Sequence, residues 1–157
     1  MKPFSKYYEE KVLNSLLNSC ILTLGADSGS VMTVDKNTNM LNMKAASKLD
    51  DNVINNTHMK IGEGIAGLAA QTAQPIMLPK DGNIKGLFGK MKRDYIKSSM
   101  IVPFKKGDNH NPNDVYGVIN LNIVRKDADF SDRDIAIVKE LINMASIALI
   151  PIRSPKQ

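Results

Sequence analysis

Residues 115–124 narrow most sharply what this chain can fold into. Val115, Gly117, Ile119, Leu121 and Ile123 fall on one face of an extended strand, and Tyr116, Val118, Asn120, Asn122 and Val124 on the other. A strand patterned this way has an apolar face to bury, so the domain must contain a sheet with something packed on it. Its second face is mixed, with two asparagines at its centre. Open to water they would be unremarkable; covered, they line a polar pocket and need hydrogen-bond partners. Residues 98–104 read as the strand before it. The polar loop 107–114 joins the two, which makes a hairpin rather than a parallel crossover.

A second hairpin lies earlier. Residues 30–35 are a short strand, Lys36-Asn37-Thr38-Asn39 is turn chemistry, and residues 41–47 alternate, with Leu41, Met43 and Ala45 against Asn42, Lys44 and Ala46. Between the hairpins the reading is mixed: a polar helix or loop over 50–56, a brief strand over 58–61, a short helix over 64–73, a strand over 75–78 and an irregular stretch over 80–97. Helices close both ends. Over 5–24, Val12, Leu13, Leu16, Leu17, Cys20, Ile21 and Leu24 recur at helical spacing up to the stop at Gly25. Over 131–150, Ser131 is a good N-cap, Asp132 and Asp134 sit in the first turn, and Pro151 ends the helix. This last helix has two stripes. Ile135, Val138, Ile142, Ala145 and Leu149 form one. Ile137, Leu141, Met144 and Ala148 form the other, which predicts a second buried face, on the first helix or on another protomer.

The order helix, hairpin, mixed middle, hairpin, helix predicts an α+β domain. Its central antiparallel sheet has five to six strands, with the N- and C-terminal helices on one face and short helices and loops over a pocket on the other. With 157 residues the chain makes one domain, 1–157, with its core over about 12–150 and a polar tail over 151–157. Pro151 and Pro155 disfavour a continuous helix beyond the core, which predicts a stand-alone chain or an excised domain.

Charge and cysteine content narrow the function classes. The net charge is +5, yet residues 80–106 alone carry eight basic residues against Asp81 and Asp94. The basic balance therefore belongs to one stretch. Its aromatics, Phe88, Tyr95 and Phe104, are too few for a base-stacking surface, which argues against nucleic acid. One cysteine, Cys20, allows no intramolecular disulfide and no Cys-x-x-Cys site, and its place on the apolar stripe predicts a small buried side chain. His58 and His110 are far apart, and no metal site is expected. Neither a signal-peptide core nor a run of about 18 apolar residues occurs, so a cytoplasmic protein with no membrane partner is expected.

Gly62-Glu63-Gly64-Ile65-Ala66-Gly67 matches the dinucleotide pattern G-x-G-x-x-G, but the context rejects it. The preceding strand is short and polar, the 58–78 unit is shorter than the ~30 residues a βαβ unit needs, and hairpins flank it. The glycines instead predict a tight turn into a short helix, with Gly67 permitting close packing.

The same segment carries a family resemblance. Ile61-Gly62-Glu63-Gly64-Ile65-Ala66-Gly67, followed by Thr72-Ala73-Gln74-Pro75-Ile76, resembles the GAF domain signature around its central helix. The 98–104 strand, with Ser98, Met100, Val102, Pro103 and Phe104, is similar to that family's S-x-L-x-V-P-L strand. Tyr116-Gly117-Val118-Ile119-Asn120-Leu121 resembles its G-V-L-x-L strand, and Phe130-Ser131 with Asp134 its entry to the last helix. The resemblance implies a regulatory module that binds a small molecule and signals through its terminal helices, often as a dimer. It places Ser30 on the pocket side of the first strand, Ala46 and Ser47 at the end of the second, and Ile65 and Ala66 in the glycine-rich turn. It puts Lys92 and Ile96 in a lid and Asn120 on the central strand. Strand parity adds Lys44 and Asn122 to this set. Ile137, Leu141, Met144 and Ala148 are the expected dimer face.

The departures are specific. Cyclic-nucleotide-binding members carry Asn-Lys where this chain has Ile123 and Val124, and Ile135 stands where they carry Glu. Bilin attachment and sulfoxide-reductase chemistry need reactive pocket cysteines, and Cys20 lies in the first helix. No nucleophile and base can be assembled, so a non-catalytic sensor without cofactor is expected, with the basic lid favouring an anionic ligand. The alternatives are a degenerate domain used only for dimerisation or docking, and polyanion binding through residues 80–106.

Overall fold

The computed structural model describes residues 4–49, 51, 54, 59–78, 96–107, 111, 114–125 and 129–150. Six strands form one sheet: β1 (Ser28–Asp35), β2 (Met40–Ser47), β3 (Met59–Lys60), β4 (Ile76–Leu78), β5 (Ser98–Phe104) and β6 (Gly117–Ile123). Their order is β3-β2-β1-β6-β5-β4, and every neighbouring pair is antiparallel. The first and last strands of the two hairpins, β1 and β6, pair at the centre, with Ser28 opposite Asn122 and Ser30 opposite Asn120. Three described helices complete the domain: α1 (Phe4–Leu24), α2 (Gly64–Thr72) and α3 (Asp132–Ala148). The α+β class and the antiparallel sheet expected from patterning are therefore present, with element ends displaced by at most two residues.

Two apolar clusters hold the layers together. On one face, Leu13, Leu16, Leu17 and Cys20 of α1 and Val138, Ile142 and Ala145 of α3 pack on Val31, Ala45, Met100, Val102, Ile119, Leu121 and Ile123. Leu13, Leu17, Met100, Ile119, Leu121 and Val138 are all but inaccessible, each worth roughly 1.5–3 kcal/mol of transfer free energy. On the opposite face, α2 sets Ile65, Ala66, Ala69 and Ala70 on Met32, Leu41, Leu78, Ile101 and Val118. The alternation of β6 thus divides its residues between the two layers from Gly117 to Ile123, as the sequence implies.

The turn into α2 explains its glycines. Gly62 (φ 92°) and Gly64 (φ 65°) adopt backbone that favours glycine. A β-carbon on Gly67 would stand 2.4 Å from the Lys60 carbonyl oxygen, so only glycine lets the helix sit this close to the β3 strand. The Gly62 N–H closes the turn on the Gly67 carbonyl at 2.8 Å. At the other end of the chain, the Asp134 carboxylate accepts the Ser131 N–H at 2.9 Å, and acidic residues occupy the first turn of α3, where the helix dipole favours them. The helix ends against the β5–β6 connection: Ser146 Oγ donates to the Lys105 carbonyl at 2.7 Å, and the Gly107 N–H donates to the Ser146 carbonyl at 3.1 Å.

Two local irregularities depart from simple alternation. In β2, Val31 pairs with Ala45 and Met32 with Met43, so Lys44 is an extra residue without a cross-strand partner. This bulge reverses the facing of the strand: Met43 packs with the α2 layer, whereas Ala45 packs with the terminal helices. Before β6, Val115 joins the α2 cluster and Tyr116 the terminal-helix cluster, the reverse of the parity extended back from the strand.

Candidate functional site

The α2-facing side of the sheet has two unlike halves. Under α2 it is apolar. Beyond α2, toward the start of β1 and the end of β6, the same face carries Ser28, Ser30, Ser99, Asn120 and Asn122, the polar positions between buried hydrophobes. Two cross-strand rows organise them. One row runs Ser99–Asn122–Ser28, the other Ile101–Asn120–Ser30–Ala46.

The rows differ in hydrogen bonding. Asn122 is fully buried and its amide is engaged at both ends. Ser99 Oγ donates to Asn122 Oδ1 at 2.7 Å, and Asn122 Nδ2 donates to Ser28 Oγ at 3.1 Å. Asn120, two residues earlier on the same face, has its Oδ1 buried with no partner among the described residues. A buried acceptor left unpaired costs about 1–3 kcal/mol, a penalty normally relieved by water or a ligand. The face therefore holds a buried carbonyl oxygen, unpaired among the described residues, beside the nearly inaccessible Ser30 (1% exposed).

The structure brings together part of the set chosen from sequence. Ser30, Ala46, Asn120 and Asn122 share the polar half-face. Ile65 and Ala66 lie in α2, buried against the apolar half. Ile96 is buried directly before β5, at the end of the sheet nearest Ser99 and Asn122. Lys44 and Ser47 fall elsewhere. The bulge turns Lys44 to the terminal-helix side, where its Nζ lies 4.0 Å from Glu9 of α1. Ser47 pairs with Gly29, and a β-carbon on Gly29 would meet Leu17, so this pair also faces the helices. Asn42, expected on the pocket side with Lys44, is exposed and shares the Thr33 row. Lys92, His58, His110, the 50–56 segment apart from residues 51 and 54, the lid over 80–95 and the tail 151–157 lie outside the described residues. Ser28 and Ser99 were not selected from sequence. Their signal is their place two residues before Ser30 on β1 and two residues before Ile101 on β5.

Cys20 is fully buried on α1, and desolvation raises its thiol pKa to about 12. At neutral pH it is a packed, protonated side chain.

On the opposite face of the domain, α1 and α3 leave a groove of about 320 Å3 lined by Lys11, Val12, Ser15 and Ser19 on one side and Leu141, Met144 and Ala148 on the other. Of the expected dimer residues, Leu141 and Ala148 edge this groove, Met144 is 70% exposed over it, and Ile137 is half-buried one turn earlier. Among the described residues, no helix is long and apolar enough to cross a membrane.

An antiparallel sheet with its terminal helices on one face, and a short helix beside a polar recess on the other, is the architecture of a sensor or regulatory domain. The chain belongs to the GAF domain family, whose family model matches residues 9–150. Solved GAF structures share the fold. The GAF domain from a phosphoenolpyruvate-protein phosphotransferase of Coxiella burnetii is 19% identical, with TM-score 0.69 over 88% of this chain and 80% of that one. The second GAF domain of DevS from Mycobacterium smegmatis is 13% identical, with TM-score 0.67 over 90% and 92%. A type II free methionine-R-sulfoxide reductase from Thermoplasma acidophilum is 15% identical, with TM-score 0.72 over 95% of both chains. Among curated proteins, none matches this sequence significantly.

Proposed function

We propose that this GAF domain is a non-catalytic sensor that binds a small molecule over the polar half of the α2-facing sheet and signals through its terminal helices as a dimer. The reading rests on the buried Asn120 Oδ1 between Ser30 and Ile101, which is unpaired among the described residues and so can accept a donor from a ligand. The non-catalytic reading is supported by Cys20, the chain's one cysteine, whose burial and raised pKa leave no reactive thiolate for cysteine-based chemistry. The dimeric mode is supported by Met144, Leu141 and Ala148 along the α1–α3 groove, which place an exposed apolar ridge on the helices that would carry the signal. A soluble metabolite in the cytoplasm is the source of ligand that this reading expects, and an output domain or partner protein would receive the signal.

Native mass spectrometry of the purified protein, followed by thermal-shift measurements over a panel of metabolites carrying N–H or O–H donors, tests the ligand reading. Binding to the wild type and its loss in Asn120→Leu is expected. Stabilisation by none of the panel, together with a purified mass equal to that of the bare chain, would leave a docking module, with the helical groove as its working surface. Sedimentation velocity tests the dimer.

A further inference from the structure

A second recess lies at the end of the sheet, where β1 and β5 begin and β2 and β6 end. This cleft, of about 520 Å3, is lined by Asp27, Ser28, Lys48, Lys97 and Val124. Part of its backbone is already hydrogen-bonded within the protein. The Asp27 N–H donates to the Asn122 carbonyl and the Lys97 N–H to the Ile123 carbonyl, both at 2.8 Å. What the cleft offers a ligand is chiefly its side chains.

Asp27 is occupied within the protein. Its Oδ2 accepts the Val124 N–H at 2.8 Å, and its Oδ1 lies 3.5 Å from Arg125, whose guanidinium also donates to the Gly25 carbonyl at 2.9 Å. The one acidic group lining the cleft is thus paired with a cation next to it. Lys48 and Lys97 have no carboxylate within ion-pair distance among the described residues, and their charges are left uncompensated. Lys48 also holds a left-handed backbone conformation, φ 57°, which disfavours any residue with a β-carbon.

Ser28 supplies the second, independent observation. It is 5% exposed and lines the cleft. Its Oγ accepts from Asn122 Nδ2, and its own hydroxyl proton has no acceptor among the described residues. Because the Asn122 amide is fixed by Ser99 on its other side, Ser28 is held as a donor. One buried neutral donor and two lysines around a cleft whose acid is already paired recognise an oxyanion.

We infer that the strand-end cleft is an oxyanion site, taking a phosphate or carboxylate group through Lys48, Lys97 and the Ser28 hydroxyl. It stands whether or not the Asn120 face holds a ligand of its own.

Two-dimensional amide NMR of the whole chain at low ionic strength, titrated with inorganic phosphate and separately with acetate, tests this inference. Chloride at matched ionic strength is the control. Saturable shifts centred on Ser28, Lys48, Lys97 and Val124 are expected, and the tighter of the two probes names the group. Lys48 is exposed and Lys97 only half-buried, so Lys48→Gln and Lys97→Gln should fold normally. Each should weaken binding roughly tenfold, as loss of a charge-assisted hydrogen bond implies. The double variant should not saturate. Shifts no larger than those with chloride, or saturable shifts that persist unchanged in the double variant or centre elsewhere in the chain, would overturn the assignment.

Discussion

Asn120 and Asn122 differ by two positions on one strand, and replacing each by leucine should move stability in opposite directions. Asn122→Leu removes the acceptor of Ser99 Oγ and the donor to Ser28 Oγ, both in residues no more than 5% exposed. Each orphaned group costs about 1–3 kcal/mol, and the apolar side chain gained recovers part of it, so a net loss of roughly 2–4 kcal/mol is expected. For a domain of this size that is a fall in Tm of about 4–16 °C. Asn120→Leu removes an oxygen that is already buried and unpaired. The penalty disappears with it, and the free protein should gain about 1–2 kcal/mol, or roughly 2–8 °C. Leucine has nearly the branching of asparagine, so neither change calls for a new cavity or a large repacking. The assay is urea unfolding of the ligand-free protein followed by circular dichroism, with unchanged m-values as the check that the transition remains comparable. Equal destabilisation by both substitutions would refute the reasoning, because it would mean that Asn120 Oδ1 is satisfied in the free protein.

Four further outcomes follow from the packing. Gly67→Ala places a β-carbon 2.4 Å from the Lys60 carbonyl, and despite the better helix propensity of alanine it should destabilise by about 1–3 kcal/mol in thermal melts. Asp134→Ala removes the acceptor of the Ser131 N–H and should cost about 1 kcal/mol by the same assay. Cys20 keeps its proton in the folded state up to about pH 12, whereas the unfolded thiol loses it near the ordinary value of 9.0. The folded form then binds more protons, so stability should fall between these pH values by up to about 1.4 kcal/mol per unit relative to Cys20→Ala, in urea titrations across that window. Met144→Glu puts a charge on the exposed ridge beside the helical groove and should shift a dimer toward monomer in sedimentation velocity without lowering Tm, since the side chain is 70% exposed.

The layers of the fold were legible because their signal is regular. Val118 against Ile119, and Val138 and Ile142 against the polar positions between them, obey the strand and helix periods that burial on one face imposes. The polar face is legible only where that regularity continues. Asn120 and Asn122 share one face, as parity implies, because β6 runs unbroken from Gly117 to Ile123. Lys44 was misplaced because Leu41, Met43 and Ala45 read as continuous alternation, while the chain inserts one residue between Met43 and Ala45. A bulge alters register without altering composition, so nothing in the residue types announces it. Ser28 was missed for a related reason: it lies at the strand's first position, where the alternation has too few neighbours to assign a face.

The two halves of the α2-facing sheet differ in how their polar groups are satisfied. Under α2, alanines and Gly67 let the helix approach the strands closely, and the packing there needs nothing from solvent. Toward the strand ends the same face carries serines and asparagines instead. Asn122 shows that such a residue can be fully satisfied from within, by Ser99 and Ser28. Asn120 is left unsatisfied although Ser30 lies directly across from it on β1. Polarity as such therefore does not dictate an orphaned oxygen at this depth; the same strand provides the means to avoid one. The proposed ligand reading rests on this acceptor, since a donor bound there would recover the stability lost in the free state.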